Sequence, residues 1–171
     1  MMGVNKLRMR LSSITIDADG SPSGYIAWYN HAANISRIRV FRPSLKNGRY
    51  GVQRMDMLAL YFALADNRRH IRHLAGGQKK KRLFVNIRSD SKTSVEQLQG
   101  ISEIRESIMK RICSPIRKLL DRMAYTTVFN HLDRTRNTAG LLERRRRKAE
   151  KRRLTHHYEK TFMMLPLEKL L

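Results

Sequence analysis

Three aspartates, Asp17, Asp56 and Asp90, occur where the local sequence can bring their carboxylates to one edge of a β-sheet. Asp17 ends a β-branched run over residues 13–17 and precedes a series of turn-forming residues. Asp90 follows the apolar run 83–87, and open α/β sheets bind their ligands beyond the carboxyl ends of strands. Carboxylates gathered at such an edge would bind a hard divalent cation, Mg²⁺ or Mn²⁺.

Asp56 begins the apolar face of a predicted helix. The residues that follow it on that face, at i+3, i+4, i+7 and i+8, are Ala59, Leu60, Ala63 and Leu64. A carboxylate at the head of a buried stripe is costly unless it has a partner. The partner would be a cation at the sheet edge or, as the alternative, Arg54 or Arg88.

The other two positions have simpler interpretations beside the cation site. Asp17 and its neighbour Asp19 would bond to nearby backbone amides as ordinary turn residues. Asp90 would cap the helix that follows it. The residue patterns leave these local roles open.

The periodicity of the chain predicts the elements that would position these acids. Strands are predicted at 13–17, 25–31, 35–42, 83–87 and 125–131. Helices are predicted at 50–74, 94–107 and 108–123 and from residue 138 onwards. Pro115 lies inside the third and requires an early helical position or a local break. The order βββαβαβα, with one helix split, indicates an α/β fold with a mixed sheet whose first three strands are antiparallel.

These motifs together resemble the ribonuclease H-like superfamily, in particular its ribonuclease H and reverse-transcriptase-associated branch. The resemblance covers about residues 12–150. Its matching segments are Asp17 through Gly24 on the first strand, Asp56 before Ala59-Leu60 on the first helix, Ser89-Asp90-Ser91 after the fourth strand, and Arg136-Asn137-Thr138-Ala139-Gly140 near the last strand.

The resemblance implies a ribonuclease H-like mixed five-stranded sheet flanked by helices. It also implies an endonuclease that cuts the RNA strand of RNA–DNA hybrids by two-metal-ion phosphodiester hydrolysis with Mg²⁺ or Mn²⁺. In that mechanism Asp17 would bridge the two ions, and Asp56 and Asp90 would each bind one of them.

The sequence departs from the superfamily at its fourth catalytic acid, where it has Gly140. Glu143 follows three residues later, about 4.5 Å along a helix axis and on nearly the same face. We expect Glu143 to be a substitute metal ligand. The alternative is a surface ion pair between Glu143 and Arg147 at i+4.

The net charge of +22 on 171 residues predicts a polyanionic partner. Nucleic acid is expected rather than a membrane, because the chain has no long apolar segment and no amphipathic anchor. A helix that is charged on all faces, such as the predicted basic C-terminal helix, lies in solvent or along phosphates. The candidate contacts are Lys79, Lys80, Lys81, Arg82, Arg136, Asn137, Arg144, Arg145, Arg146, Arg147, Lys148, Lys151, Arg152 and Arg153.

The combination of Gly140 with so high a charge leaves a second function open. It is a catalytically weakened or inactive protein of the same fold that serves as a basic RNA-binding component of a ribosome or another ribonucleoprotein. The single cysteine, Cys113, excludes an intrachain disulfide and favours a cytoplasmic location. The predicted organisation is a basic segment at 1–11, a ribonuclease H-like domain at 12–150 and a basic and apolar extension at 151–171.

Overall fold

Five strands form one mixed sheet in the computed structural model of the chain. The structure describes residues 12–41, 48–76, 83–123 and 125–163, with the backbone alone at 12, 74–76 and 155–163. The strands are β1 (Ser12–Gly20), β2 (Tyr25–Asn30), β3 (Ile35–Val40), β4 (Leu83–Ser89) and β5 (Thr126–His131). Their order across the sheet is β3-β2-β1-β4-β5.

The strand directions bring the predicted acid Asp90 and the neighbouring Asp19 to one edge. β2 pairs antiparallel with β1 and with β3, whereas β1, β4 and β5 run parallel. The register places Asp17 beside Arg88 and Ala18 beside Ser89. Asp19 and Asp90, the next residues along the two strands, therefore reach the same carboxyl edge, which is where such sheets bind ligands.

The described residues also form four helices: α1 (Gly51–Gly76), α2 (Lys92–Gln99), α3 (Ser107–Asp121) and α4 (Thr138–Met163). A short 3-10 turn at Arg134–Arg136 precedes α4. The predicted element order and α/β class are confirmed. None of the described helices is both long and apolar enough to cross a bilayer.

The two faces of the sheet meet different helices. From β1, Ile14, Ile16 and Ala18 belong to a buried apolar core together with residues of α1 and α3. On the opposite face the Tyr25 hydroxyl donates a hydrogen bond of 2.6 Å to Glu150 of α4. The sheet is thus a middle layer, and the helix that begins at Thr138 lies apart from the main apolar core.

Two element boundaries differ from the prediction, and the first of them changes the position of an acid. β1 continues to Gly20, so Asp19 lies within the strand instead of a turn. The helix predicted at 94–107 ends at Gln99, because Gly100 takes a left-handed conformation with φ of 78°. A new helix, α3, then begins after Glu106, whose side chain accepts hydrogen bonds from the backbone N–H groups of Ile108 and Met109.

The helices also differ from prediction further along the chain. α3 continues through Pro115 instead of starting or breaking there. α4 runs without interruption across residue 150, so the predicted C-terminal extension begins inside a helix. The predicted basic segment 1–11 and the final residues 164–171 lie outside the described residues.

Candidate active site

An open cleft of about 560 Å³ lies at the carboxyl ends of β1 and β4. Its walls come from β1, α1, the loop after β4, the 3-10 turn and the first turns of α4. Four acids and three arginines line it: Asp19, Asp56, Asp90, Glu143, Arg134, Arg144 and Arg147. A cleft of about 680 Å³ between α2 and α3 has a single acid, Glu103, in its lining. Chemistry that depends on several carboxylates therefore belongs to the first cleft.

Asp19 lies at the centre of the acidic group. It is buried near the end of β1, two residues beyond Asp17. Burial raises the pKa of its carboxyl to about 8, and the neighbouring charges of Asp90, Asp56 and Glu143 contribute to the rise. A carboxyl that resists ionisation among other carboxyls is a site that a bound cation would stabilise.

Asp56 faces the same cleft from α1. Burial raises its pKa to about 7, and Asp90 adds to that effect, while hydrogen bonds from the Ser91 side chain and the Gly20 backbone oppose it. The alternative partners considered for Asp56 are engaged elsewhere. Arg54 pairs with Glu106, and Arg88 pairs with Asp17.

Asp90 is held against Asp19 by a buried amide. The Asn137 side chain donates hydrogen bonds of 3.0 Å to Asp90 Oδ1, 3.4 Å to Asp19 Oδ1 and 3.1 Å to the Ala18 carbonyl oxygen. Ser91, not Asp90, occupies the N-cap position of α2. Asn137 is fully buried, so its expected contact with nucleic acid is corrected: Asn137 holds two acids of the cleft side by side.

Glu143 supplies the fourth acid from α4. Its side chain is only 2% exposed, and its Oε1 accepts no hydrogen bond from any residue that the structure describes. The Arg147 Nε lies 3.8 Å from that oxygen, so the predicted i+4 pair exists, but its acid is buried rather than on the surface. A buried carboxylate oxygen without a hydrogen bond is costly. Glu143 Oε1 is therefore suited to bind a cation.

The donor set of the cleft suits Mg²⁺ or Mn²⁺. Hard divalent ions bind carboxylate oxygens and retain several waters. As the side chains stand, no three acidic, histidine or cysteine groups within the described residues lie close enough together to hold an ion. Asp19 and Asp90 lie side by side on Asn137, so a bound ion would require a further acid to rotate towards this pair.

Asp17 lies outside this acidic group. It is fully buried and accepts hydrogen bonds from Arg88 Nε at 2.7 Å, from the backbone N–H of Thr138 at 3.1 Å, and makes a 2.9 Å contact with His31 Nε2. The expectation that Asp17 bridges metal ions is therefore corrected. Asp17 fixes the start of α4 to β1, and Asp19 is the acid that β1 contributes to the cleft.

Comparisons with known proteins agree with this architecture. No family model and no curated protein sequence matches the chain. Among solved structures, the N-terminal RNase H domain of a Mycobacterium tuberculosis protein, solved as a fusion with maltose-binding protein, aligns with a TM-score of 0.56 and 17% identity over 74% of this chain and 92% of that one. RNase H1 of the archaeon Halobacterium salinarum aligns with a TM-score of 0.55 and 18% identity over 75% of this chain and 91% of that one. This is a ribonuclease H-like fold.

A third solved structure has the ribonuclease H-like fold together with nucleic acid. LC11-RNase H1, isolated from compost by a metagenomic approach, was solved in complex with an RNA/DNA hybrid. It aligns with a TM-score of 0.55 and 19% identity over 74% of this chain and 88% of that one. At such identities the similarity establishes the fold, and the chemistry must be argued from the cleft itself.

Within this ribonuclease H-like fold, Gly20 brings β1 against α1. A Cβ atom at Gly20 would overlap the backbone of Met55 and Asp56. The absence of a side chain therefore allows the strand and helix backbones to touch and sets Asp19 beside Asp56. The sequence held a signal for this arrangement, because Ile14, Ile16 and Ala18 alternate up to an Asp-Gly pair and extend the strand past residue 17.

We predict that Gly20→Ala destabilises the protein by at least about 2 kcal/mol and weakens Mn²⁺ binding, because β1 and α1 must separate to admit the methyl group. Urea unfolding and calorimetric titration with Mn²⁺ would measure the two effects. Gly140→Ala is the comparison, since its Cβ would meet side-chain atoms of Arg144 and Asp19 at 3.1 Å instead of backbone. Equal stability of Gly20→Ala and the native chain would contradict the close-approach explanation.

We predict that Asp17→Asn lowers the free energy of unfolding by about 2–3 kcal/mol, because the change removes the negative partner of Arg88 and His31 at a fully buried position. The estimate is at the low end for a buried ion pair because both partners are about one-third exposed. Urea denaturation would measure the loss. Asp121→Asn, at an exposed position on α3, is the control and should change stability by less than about 0.5 kcal/mol.

Apart from the buried Asn137, the predicted nucleic-acid contacts fall into three groups. Lys79, Lys80, Lys81 and Arg82 lie outside the described residues. Arg144 and Arg147 are partly buried at the cleft, which the exposed Arg134, absent from the predicted contacts, also lines. The remaining members are exposed, namely Arg136, Arg145, Arg146, Lys148, Lys151, Arg152 and Arg153. Basic side chains therefore lie both within the cleft and along the exposed side of α4.

Proposed function

We propose that this protein is a divalent-metal-dependent endonuclease that cleaves the RNA strand of RNA–DNA hybrids. The proposal rests above all on one observation: four acids from β1, α1, the end of β4 and α4 line a single cleft of a ribonuclease H-like fold. A structural protein has no use for a group of acids in which burial and the neighbouring carboxylates raise the pKa values of Asp19 and Asp56.

Asp19, Asp56, Asp90 and Glu143 would hold Mg²⁺ or Mn²⁺. When bound, the ion would polarise a phosphate oxygen and promote ionisation of the attacking water. Asn137 would keep Asp19 and Asp90 together through its two hydrogen bonds. The salt bridge from Asp17 to Arg88 and the hydrogen bond that Asp17 accepts from Thr138 would keep α4, and with it Glu143, at the rim.

The charge distribution supports a nucleic-acid substrate. Arg134, Arg144 and Arg147 line the cleft, and exposed cations continue along α4. Guanidinium groups bind phosphate oxygens in a bidentate manner, and displacement of counterions from the phosphates adds affinity. The hybrid bound to LC11-RNase H1 is the specific reason to propose an RNA–DNA duplex as the substrate class.

The second candidate is a non-catalytic RNA-binding component of a ribosome or another ribonucleoprotein. The net charge of +22 favours it, because such a charge exceeds what turnover requires. The raised pKa values of Asp19 and Asp56 argue against it, since ionising these carboxyls in the folded state costs stability that a bound cation would offset.

An end-labelled RNA–DNA hybrid tests the two candidates. Cleavage would be measured with Mg²⁺, Mn²⁺ or EDTA for the native chain, for Asp56→Asn and for the exposed control Asp121→Asn. We expect cutting that requires metal and Asp56 and survives in the control. Tight binding without cutting in either metal would overturn the nuclease proposal and favour the ribonucleoprotein component.

A further inference from the structure

We propose that the cleft holds a single divalent ion and that the Arg144 guanidinium supplies the second positive charge, by binding the phosphate oxygens of the substrate strand. This inference rests on the proposed nuclease function and deepens it. The resemblance to the superfamily implies two ions. The arrangement around Gly140 provides for one ion and one guanidinium.

The space next to Gly140 is already occupied by a cation and an acid. A Cβ atom at Gly140 would lie 3.1 Å from Arg144 Nη1, 3.1 Å from Asp19 Cγ and 3.2 Å from Asp19 Oδ1. The guanidinium and the Asp19 carboxyl group thus flank the point from which a fourth superfamily carboxylate would extend. A positive side chain therefore borders the space that a carboxylate at position 140 would fill.

The oxygens of the cleft are also partly committed. Asn137 donates to Asp19 Oδ1 and to Asp90 Oδ1, whereas Glu143 Oε1 accepts no hydrogen bond from the described residues. The carboxylate oxygens that remain would suffice for one ion that keeps several of its waters. A second ion would have to share them within a few ångströms of a fixed positive charge.

Arg144 differs from Arg146 and Arg147 in its contacts. Arg146 pairs with Glu150, and Arg147 lies near Glu143 and donates a hydrogen bond to Ser23. The Arg144 Nη2 instead donates to a backbone oxygen, that of Arg134, at 3.5 Å. The carbonyl orients the guanidinium without neutralising its charge, which leaves the charge for a phosphate.

The number of Mn²⁺ ions bound per chain tests the inference without relying on activity. Free Mn²⁺ would be counted by electron paramagnetic resonance during titration of the native chain, Arg144→Glu and Arg145→Glu. The two variants change the net charge equally, but Arg145 is exposed and does not line the cleft. We expect one ion in the native chain, two in Arg144→Glu, where a carboxylate replaces the guanidinium, and one in Arg145→Glu.

The outcomes separate this inference from the proposed function. Two ions in the native chain would overturn the inference and leave the nuclease proposal intact. No bound ion in the native chain would overturn both. One ion in all three proteins would show that Arg144 does not occupy the second position.

Arg144→Gln provides a second readout if the charge reversal impairs folding. Removing a positive charge near the ion should tighten binding of the first Mn²⁺ by at least about threefold, and it should weaken hybrid binding with a smaller salt dependence. Unchanged Mn²⁺ affinity in a folded Arg144→Gln variant would contradict the inference.

Discussion

Asp19→Asn is expected to reduce metal-dependent cleavage of an RNA–DNA hybrid by about a hundredfold to a thousandfold. The change removes the carboxylate at the centre of the acidic cleft, and loss of one strong electrostatic element of an active site costs about two to three orders of magnitude. The same variant should be more stable than the native chain in EDTA by at least about 1 kcal/mol, because the amide carries no charge to repel Asp90 and Asp56.

Asp17→Asn is the matched comparison, two residues earlier on the same strand. It should keep metal-dependent cleavage per folded molecule within about tenfold of the native value while losing stability, because Asp17 acts through Arg88 and Thr138 and does not line the cleft. Single-turnover cleavage and urea unfolding, measured on the same samples, would distinguish a structural role of Asp17 from a role as metal ligand. Loss of cleavage in folded Asp17→Asn, with activity retained in Asp19→Asn, would reinstate Asp17 as the metal ligand.

The free energy of unfolding in EDTA is expected to fall as the pH rises from about 4 to about 8. The pKa values of Asp19 and Asp56 are raised in the folded state to about 8 and about 7, from 3.8 in the unfolded state. The folded protein therefore binds protons that the unfolded chain has already released. The stabilisation due to these bound protons is fully present at low pH and is lost progressively over this interval. Above it, these two groups no longer change the free energy of unfolding.

Saturating Mn²⁺ should offset part of this loss at pH 8. An ion at one hundred times its dissociation constant adds about 2.7 kcal/mol, which corresponds to about 5–10 °C in melting temperature. Differential scanning calorimetry from pH 5 to pH 8, with and without Mn²⁺, would measure both effects. Asp56→Asn should flatten the pH dependence in EDTA. A metal-free stability that rises over the same interval would contradict the raised pKa values.

The sequence by itself determined the order of elements and the α/β class, and it indicated three of the four acids that line the cleft, Asp56, Asp90 and Glu143. The apolar stripe after Asp56 predicted both the long helix α1 and the cost of a charge at its head. The small polar residues around Asp90 marked a strand end. These features depend on periods of two and 3.6 residues and on local turn chemistry, which can be read without knowledge of distant contacts.

Tertiary structure decided which carboxylates meet. Asp17 and Asp19 share one face of β1, and only the placement of Arg88, His31 and Thr138 gives the first a salt bridge and leaves the second in the cleft. The Asn137 hydrogen bond to Asp19 joins residues 118 positions apart in the chain. The burial of Glu143 depends in turn on how α4 packs against the sheet. Local periodicity places a side chain on a face, but its partners, and so its charge state and role, depend on contacts between distant segments.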